Sequence, residues 1–522
     1  MVKDKYFQIT TAIDYPSARP HVGHTYEKIC ADVIARWKRL KGFKVHFSTG
    51  TDCHGLKLQR TAEKAGKKPE QFVKEMSNLF RELCELFNIS YDDFIMTIEK
   101  RHEDTVLNIL KNLEKKGDIY RGEYEGLYCV DCETFYTEKD LVNGKCPYHP
   151  NKKIELFKEE TYFFKLSKYQ KDLIKNIEDD KLLIWPNKKK KEILNRLEEP
   201  LKDLSISRAN VSWGIPLPFD KKKTIAVWND ALVNYLSTVD YPNKEFSNFW
   251  PAVHMIGSDI VWHHTVIWGA MLLALKAELP KVIVHGFVNL EGKKLSKASG
   301  INIDPIGLSK KYGADSIRYF LMRNIPFGED GDFDEKALIA RHNNELANKL
   351  GNLVSRVAGL IEKFGVEKFE NKIRLEKRLK KSIENGEAEL RTNEEGCLCI
   401  FRKHKGARKG RVSEVIQTEF LSEHPISWLE AIELFVDKDV REYQFDKALN
   451  KIFAFIDHCN WYIQVRKIWE TKDKKDLFEL KESILKIAEL LSPFIPESAE
   501  KIKKQFSAKK IKKGEILFKK IN

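Results

Sequence analysis

The sequence predicts an α/β chain: a doubly wound parallel sheet of Rossmann type, split by an insertion that carries a metal knuckle, and followed by an all-α bundle. Three observations predict it. Strand, turn-rich loop, helix and strand patterns alternate from residue 6 to residue 55, the opening of a sheet whose ligands sit at the carboxyl ends of its strands. Two Cys/His pairs stand within residues 129–149, in a stretch of short strands that lacks this rhythm. From about residue 335 onward, apolar residues recur at helical spacing with no strand pattern to the end.

The elements follow in order. Tyr6-Phe7-Gln8-Ile9-Thr10-Thr11-Ala12 reads as a buried strand, and Asp14 to Pro20 as a loop rich in turn formers. From His24 to Leu40, Ile29, Val33, Ile34 and Trp37 share one face of a helix. Val45 to Thr49 is a second strand, which runs into Gly50-Thr51-Asp52-Cys53-His54-Gly55 and a further helix. Sheet-like runs resume at Ile225–Val227, Val253–Gly257 and Val282–His285. The domain reading is 1–115 for the first half of the sheet and 116–225 for the insertion. The second half of the sheet takes 226–290, a Lys-rich loop and connecting region 291–340, and the bundle 341–522. Within the bundle, 387–432 is poor in helical period and holds Cys397-Leu398-Cys399 and a basic run from Arg402 to Arg411. It reads as an insert whose order the sequence does not decide, and its basic run is either an RNA contact or a solvated loop.

With 522 residues the chain is too long for one core. A net charge of +14 favours polyanionic partners, nucleic acid first. Nine cysteines, an odd number with three of them grouped around a histidine, argue against a disulfide framework. No segment reaches the ~18 uninterrupted apolar residues of a membrane span, and the first residues lack an apolar leader. A cytoplasmic chain with no membrane partner is expected.

Cys129-x2-Cys132 and Cys146-x2-His149 are separated by thirteen residues. Two knuckle pairs of S and N donors suit tetrahedral zinc, and four protein ligands leave no open position, so the site is expected to be structural. Cys397 and Cys399 lack a second ligand pair and are given no metal. Elsewhere, Pro20-His21-Val22-Gly23-His24 follows a strand and opens a helix. A helix N-terminus offers free N–H groups and partial positive charge to phosphate, His21 and His24 add donors, and Gly23 permits close approach of a ligand. Lys293-Lys294-Leu295-Ser296-Lys297, between Gly292 and Gly300, supplies lysines that can follow a pyrophosphate as its charge develops. Together the two segments predict one nucleotide site built from both halves of the sheet.

At this point the chain resembles a known family. His21-Val22-Gly23-His24 is similar to the HIGH motif and Lys294-Leu295-Ser296-Lys297-Ala298 to KMSKS, both marks of class I aminoacyl-tRNA synthetases. Thr49–Gly55, Gly126–Cys129, Asp203–Arg208, Trp228–Ala231, Ile256–Ile260 and Gly351–Arg356 narrow the resemblance to the methionyl-tRNA synthetases. It covers most of residues 1–370 and again about 438–495. The resemblance implies that methionine and ATP form methionyl-adenylate and pyrophosphate, after which methionine passes to the 3′ end of tRNA(Met). It implies that His21, Gly23, His24, Gly257, Asp259, Lys294 and Lys297 hold ATP and that Mg²⁺ assists. Trp228, Ala231 and Tyr235, spaced as one helix face, would line an apolar slot with Ile13, Tyr15, Ile260 and His264, suited to a polarizable thioether. Asp52 would hold the substrate ammonium, and Arg208, counted with His21, His24, Lys294 and Lys297 as catalytic, would pair with Asp52 or the carboxylate. The bundle would read the anticodon through Asn352, Arg356 and Trp461. No barrel-type module follows the bundle, so a monomer is expected.

Four positions depart from the family pattern. Leu295 replaces the motif's Met, and Ala298 stands where a hydroxyl residue is usual. Asp14 is expected to add negative charge near the nucleotide, and Ser258 to remove a positive one. A class I synthetase for cysteine or a branched aliphatic residue is the near rival, although 116–225 is small for an editing domain and the metal site is filled. A zinc-bearing RNA-binding protein without catalysis is the distant one, and it gives no role to two His and two Lys at these positions.

Overall fold

The computed structural model describes residues 5–136, 138–209, 211–290, 293–294, 303–369, 375–392, 397–402, 418–419 and 423–521. The chain divides into two compact units, residues 1–307 with 328–330, and residues 308–327 with 331–522.

The first unit is built on a six-stranded sheet. Its first three strands are β1 (Tyr6–Thr11), β2 (Lys44–Thr51) and β3 (Asp93–Met96). The spatial order is β3, β2, β1, then Val253–Gly257, Lys281–His285 and Ile184–Trp185, all parallel. The order runs outward from β1 in both directions, which creates the switch point where doubly wound sheets bind ligands. Helix α1 (Val22–Leu40) follows β1, and its expected apolar face, Ile29, Val33, Ile34 and Trp37, is buried. The two-residue edge strand Ile184–Trp185 lies within the stretch read as insertion. Two residues carry no periodicity, so sequence pattern had no means of assigning it to the main sheet.

The insertion proper is a separate antiparallel sheet, ordered Thr134–Tyr136, Ile119–Cys129, Glu155–Phe164 and Leu204–Ser205. The metal knuckle sits at the turn between Ile119–Cys129 and Thr134–Tyr136.

The second unit is mainly helical. Asn352–Phe364, Leu429–Arg441, Phe445–Val465, Lys474–Leu491 and Pro496–Phe506 bury Leu353, Val357, Phe435, Leu449, Phe453, Leu480 and Ile502 among them. It is not purely helical, as the period suggested. Ala388–Thr392, Leu398–Arg402 and Thr418–Glu419 form a three-stranded antiparallel sheet inside the segment read as an insert, whose order the sequence does not decide. Leu390, Leu398 and Ile400 are buried, which explains its order: the strands carry their own apolar residues into a core. The basic run from 403 to 411 lies outside the described residues. Among the described residues, no helix is long and apolar enough to cross a membrane.

Candidate active site

A cavity of about 380 Å³ opens at the carboxyl ends of β1, Val253–Gly257 and Lys281–His285. It gathers residues from β1, α1, the knuckle and the second half of the sheet. Its wall includes His21, Gly23, His24, Gly257 and Asp259 at one end, and Ile13, Tyr15, Asp52, Trp228, Ala231, Tyr235, Ile260 and His264 at the other. Thirteen of the sequence-predicted residues are thus brought to one wall.

The His21–His24 turn explains itself at atomic level. His21 Nδ1 accepts from the Gly23 N–H at 3.1 Å, and His24 Nδ1 accepts from the His21 N–H at 3.0 Å, a reciprocal cap on α1. With both Nδ1 atoms engaged as acceptors, Nε2 carries the proton of each neutral ring and is the donor atom. The rings lie 3.7 Å apart. A Cβ on residue 23 would come within 2.9 Å of His21 Cε1, so Gly23 is required by the imidazole above it. Asp14, expected to leave a bare charge, is buried and forms a salt bridge with the fully buried Lys28. Ser258 donates to the His285 carbonyl at 2.9 Å, tying two strand ends together. His285 bonds Glu27 Oε2 through Nε2 at 2.9 Å and the Gly286 carbonyl through Nδ1 at 2.8 Å. Burial works against its charge, but Glu27 outweighs it and raises the pKa.

The other end is aromatic. Tyr235 Oη lies 2.7 Å from His264 Nε2, while His264 Nδ1 lies 2.9 Å from the Ile260 carbonyl. The carbonyl accepts the Nδ1 proton, so Nε2 accepts from the Tyr235 hydroxyl. Burial lowers the His264 pKa to about 4, which keeps the ring neutral. Trp228 stacks on His263 at 3.8 Å, and burial lowers the His263 pKa to about 3. Residues 263–267 wind as a π-helical turn, a local widening frequent at functional sites. Trp228, Ala231 and Tyr235 reach the wall from two short helical segments, Val227–Ala231 and Asn234–Ser237, and not from one continuous helix.

Asp52 is a carboxylate set into this end with one oxygen unpartnered: Oδ1 is buried and makes no hydrogen bond. Burial, then the Asp230 and Glu133 carboxylates, raise its pKa well above the ordinary value. Asp230 behind it is clamped by His54 at 2.7 Å and His102 at 2.6 Å. Burial opposes its ionisation, but these imidazoles outweigh that and hold its pKa at about 2. Arg208 does not line the cavity. Its guanidinium donates to Ser205 Oγ at 2.9 Å and the Ser207 carbonyl at 2.7 Å and packs 5.3 Å from the Tyr128 ring. Its place is behind the Tyr128–Glu133 pair.

Glu133 is a residue the sequence did not single out, although it directly follows Cys132. It adopts φ +51° in the knuckle turn and is buried on the cavity wall. Oε1 accepts from the Lys57 N–H at 2.7 Å and lies 3.0 Å from the Tyr15 hydroxyl; Oε2 accepts from Tyr128. The knuckle itself fits zinc. The donor atoms of Cys129, Cys132, Cys146 and His149 lie within 4.8 Å of one another. Cys132 Sγ stands 3.4 Å from Cys146 Sγ and 3.1 Å from His149 Nδ1. Bonds of about 2.0–2.3 Å to a central zinc give tetrahedral edges of about 3.3–3.8 Å, close to these separations.

Lys294 pairs through its backbone with Asn289 in a short strand hairpin; nothing is described of its side chain. Leu295, Lys297 and Ala298 lie outside the described residues. In the second unit, Arg356 lines a surface groove with Ser355, Gly359, Leu360, Trp469 and Lys513. Asn352 begins the same helix and bonds the Asn348 carbonyl. Trp461 is not in this groove; it stacks on His458 at 5.5 Å. Trp469, 40% exposed, is the tryptophan that the fold places beside Arg356. Two Trp residues eight apart in one segment offered the signal, and spacing alone did not choose between them.

Comparison with known proteins agrees with this architecture. The family model of class I tRNA synthetases (M) matches residues 7–156 and 150–358, and the anticodon-binding domain of tRNA ligase matches 427–520. The methionine–tRNA ligase of Clostridium acetobutylicum is 38% identical, over 100% of this chain and 79% of its own length. That of Thermotoga maritima is 35% identical, over 96% of this chain and 75% of its own. The crystal structure of Mycobacterium tuberculosis methionyl-tRNA synthetase bound by methionyl-adenylate superimposes with a TM-score of 0.83 at 30% identity, covering 99% of this chain and 100% of that one. In sequence, fold and extent, the chain belongs to the methionyl family of class I tRNA synthetases.

Proposed function

We propose that the cavity of the first unit is where methionine and ATP react to give methionyl-adenylate and pyrophosphate, and that methionine then passes to the 3′ end of tRNA(Met). The observation that carries this is Asp52: a buried carboxylate with one oxygen unpartnered, at the mouth of a neutral aromatic slot. An α-ammonium seated there supplies the missing donor and restores the charge that burial suppresses. The thioether then extends toward Trp228, Ala231, Ile260 and the Tyr235–His264 pair, where aromatic edges favour sulfur. Ile13 and Tyr15 complete the wall.

This pose leaves the methionine carboxylate facing the His21–His24 end. A carboxylate oxygen attacks the α-phosphorus of ATP, bound as its Mg²⁺ complex. The bond to the bridging oxygen breaks, and pyrophosphate leaves with the electron pair. No protein nucleophile takes part. The chain contributes position and charge: Nε2–H donors of His21 and His24, the α1 N-terminus, and the lysines Lys294 and Lys297 of the Lys-rich loop. Gly257 and Asp259 suit the adenosine, Asp259 accepting from ribose hydroxyls. Arg208 acts at one remove, supporting Tyr128 and Glu133. Zinc, held by Cys129, Cys132, Cys146 and His149, supplies closure of the knuckle turn and no chemistry.

In the second unit we assign anticodon stacking to Trp469, with Arg356 and Asn352 offering edge donors from one helix. Such a reaction belongs in the cytoplasm, where its tRNA and ATP are. The deciding experiment is methionine-dependent pyrophosphate exchange. Label must enter ATP only when methionine is present; exchange driven equally by cysteine, leucine, isoleucine or valine defeats the assignment.

A further inference from the structure

Asp14 and Lys28 form a charge pair that the cavity's other residues do not require. Asp14 lines the cavity and is 7% exposed; Lys28, on α1, is 0% exposed. A buried ammonium or carboxylate without its partner is strongly unfavourable, so the two are tolerated only together. The backbone of Asp14 is held in place beside the cavity. Its N–H donates to the Gly50 carbonyl at 2.8 Å, and its carbonyl accepts from the Asp52 N–H at 2.8 Å. The surroundings offer Lys28 no comparable partner. Cys84 is kept a thiol, its pKa pushed up to about 12 by burial, and Glu27 already bonds His285. On its other oxygen, Asp14 stands 3.9 Å from His24 Nε2, the donor atom of the phosphate-facing turn.

A lone carboxylate at this wall opposes entry of a triphosphate, since like charges in a partly buried site repel more strongly than in water. We propose that Lys28 is a positioning residue for the nucleotide: it cancels the charge of Asp14 and holds that carboxylate against His24, leaving the wall fit for a polyanion. The inference rests on the ATP reading of the cavity.

Two variants test it by pyrophosphate exchange, with KM for ATP and KM for methionine measured separately and melting temperature recorded. Exchange by the unmodified chain tests the ATP reading alone, so its failure is distinguishable. Lys28→Met is expected to raise KM for ATP more than about five-fold while KM for methionine stays within about two-fold. The double variant Asp14→Asn/Lys28→Met is expected to return KM for ATP to within about five-fold of the unmodified chain, because the charge has gone with its partner. A smaller effect of Lys28→Met, a parallel rise in both KM values, or a double variant as impaired as the single one overturns the proposal. If Lys28→Met does not fold, the double variant decides alone by the same five-fold mark of about that size.

Discussion

The two ends of one cavity use histidine in opposite ways. At the aromatic end, His264 meets a carbonyl and a hydroxyl, and burial lowers its pKa to about 4. At the other end, His285 is also buried but meets the Glu27 carboxylate, and its pKa is raised. Burial is common to both; the partner decides the sign. Under the proposed function, one end is neutral and aromatic, suited to an apolar side chain, and the other carries paired charge, suited to phosphates. The same contrast separates the two oxygens that matter most. Asp14 has a buried ammonium from the chain, while Asp52 Oδ1 has none, the place the proposed function gives to the substrate ammonium.

Four experiments break or sharpen this contrast. The largest effect is expected from Asp52→Asn, which removes the charge offered to the substrate ammonium. It should lower kcat/KM for methionine by about 100- to 1000-fold, about 3–4 kcal/mol, with KM for ATP little changed; a loss spread equally over both substrates would erase the distinction between the ends. Acid comes next. His264 has an ordinary pKa of 6.5 and a folded value of about 4, so between these values the unfolded chain binds more protons. Its contribution to stability is full above pH 6.5 and falls as the pH drops toward 4, by on the order of 3 kcal/mol. His285 runs the other way, its contribution full below the ordinary value and lost as the pH rises through its raised folded value. Urea midpoints across this range, with His264→Gln as reference, separate the two slopes.

Tyr235→Phe should raise KM for methionine by about ten-fold, since it leaves His264 Nε2 buried without a donor at a cost of about 1–2 kcal/mol; unaltered KM for ATP is the second readout. The smallest effect on adenylation belongs to Trp469→Ala. It should leave pyrophosphate exchange intact and weaken tRNA charging by about ten-fold, because stacking contributes about 1–3 kcal/mol per base. Trp461→Ala affecting charging more than Trp469→Ala would restore the assignment that the family resemblance implied.

Much of this site was legible before any coordinates. His21, His24, Asp52, Trp228, Tyr235 and His264 were found because their motifs fix residue type and spacing together. What stayed hidden depends on pairing across the chain. The charge on Asp14 looks disruptive in a linear reading, and only the burial of Lys28, a full helix turn beyond His24, neutralises it. Glu133 meets Lys57, Tyr15 and Tyr128, brought together from a helix, a loop and a strand, and Arg208 packs against Tyr128, contacts that no spacing reveals. Trp461 and Trp469 share a segment, and only the fold tells them apart, placing Trp469 in the groove with Arg356 and Trp461 against His458. The sheet within 387–432 escaped for the opposite reason: its strands are three short runs, too brief for a period to emerge.

The pairing of β1 with Val253–Gly257 also governs how the chain comes off the ribosome. Thr10 and His254, hydrogen-bonded at 2.9 Å, are 244 residues apart in sequence, whereas β2 follows β1 closely enough to pair with it early. At a synthesis rate of about 5–20 residues per second, the first strand waits tens of seconds with one edge open. That edge is a template for wrong partners while it waits. The inserted antiparallel sheet, Ile119–Cys129 with Glu155–Phe164, lies wholly within this interval and pairs with its own strands, so it can form before Val253–Gly257 arrives to cover the open edge of β1.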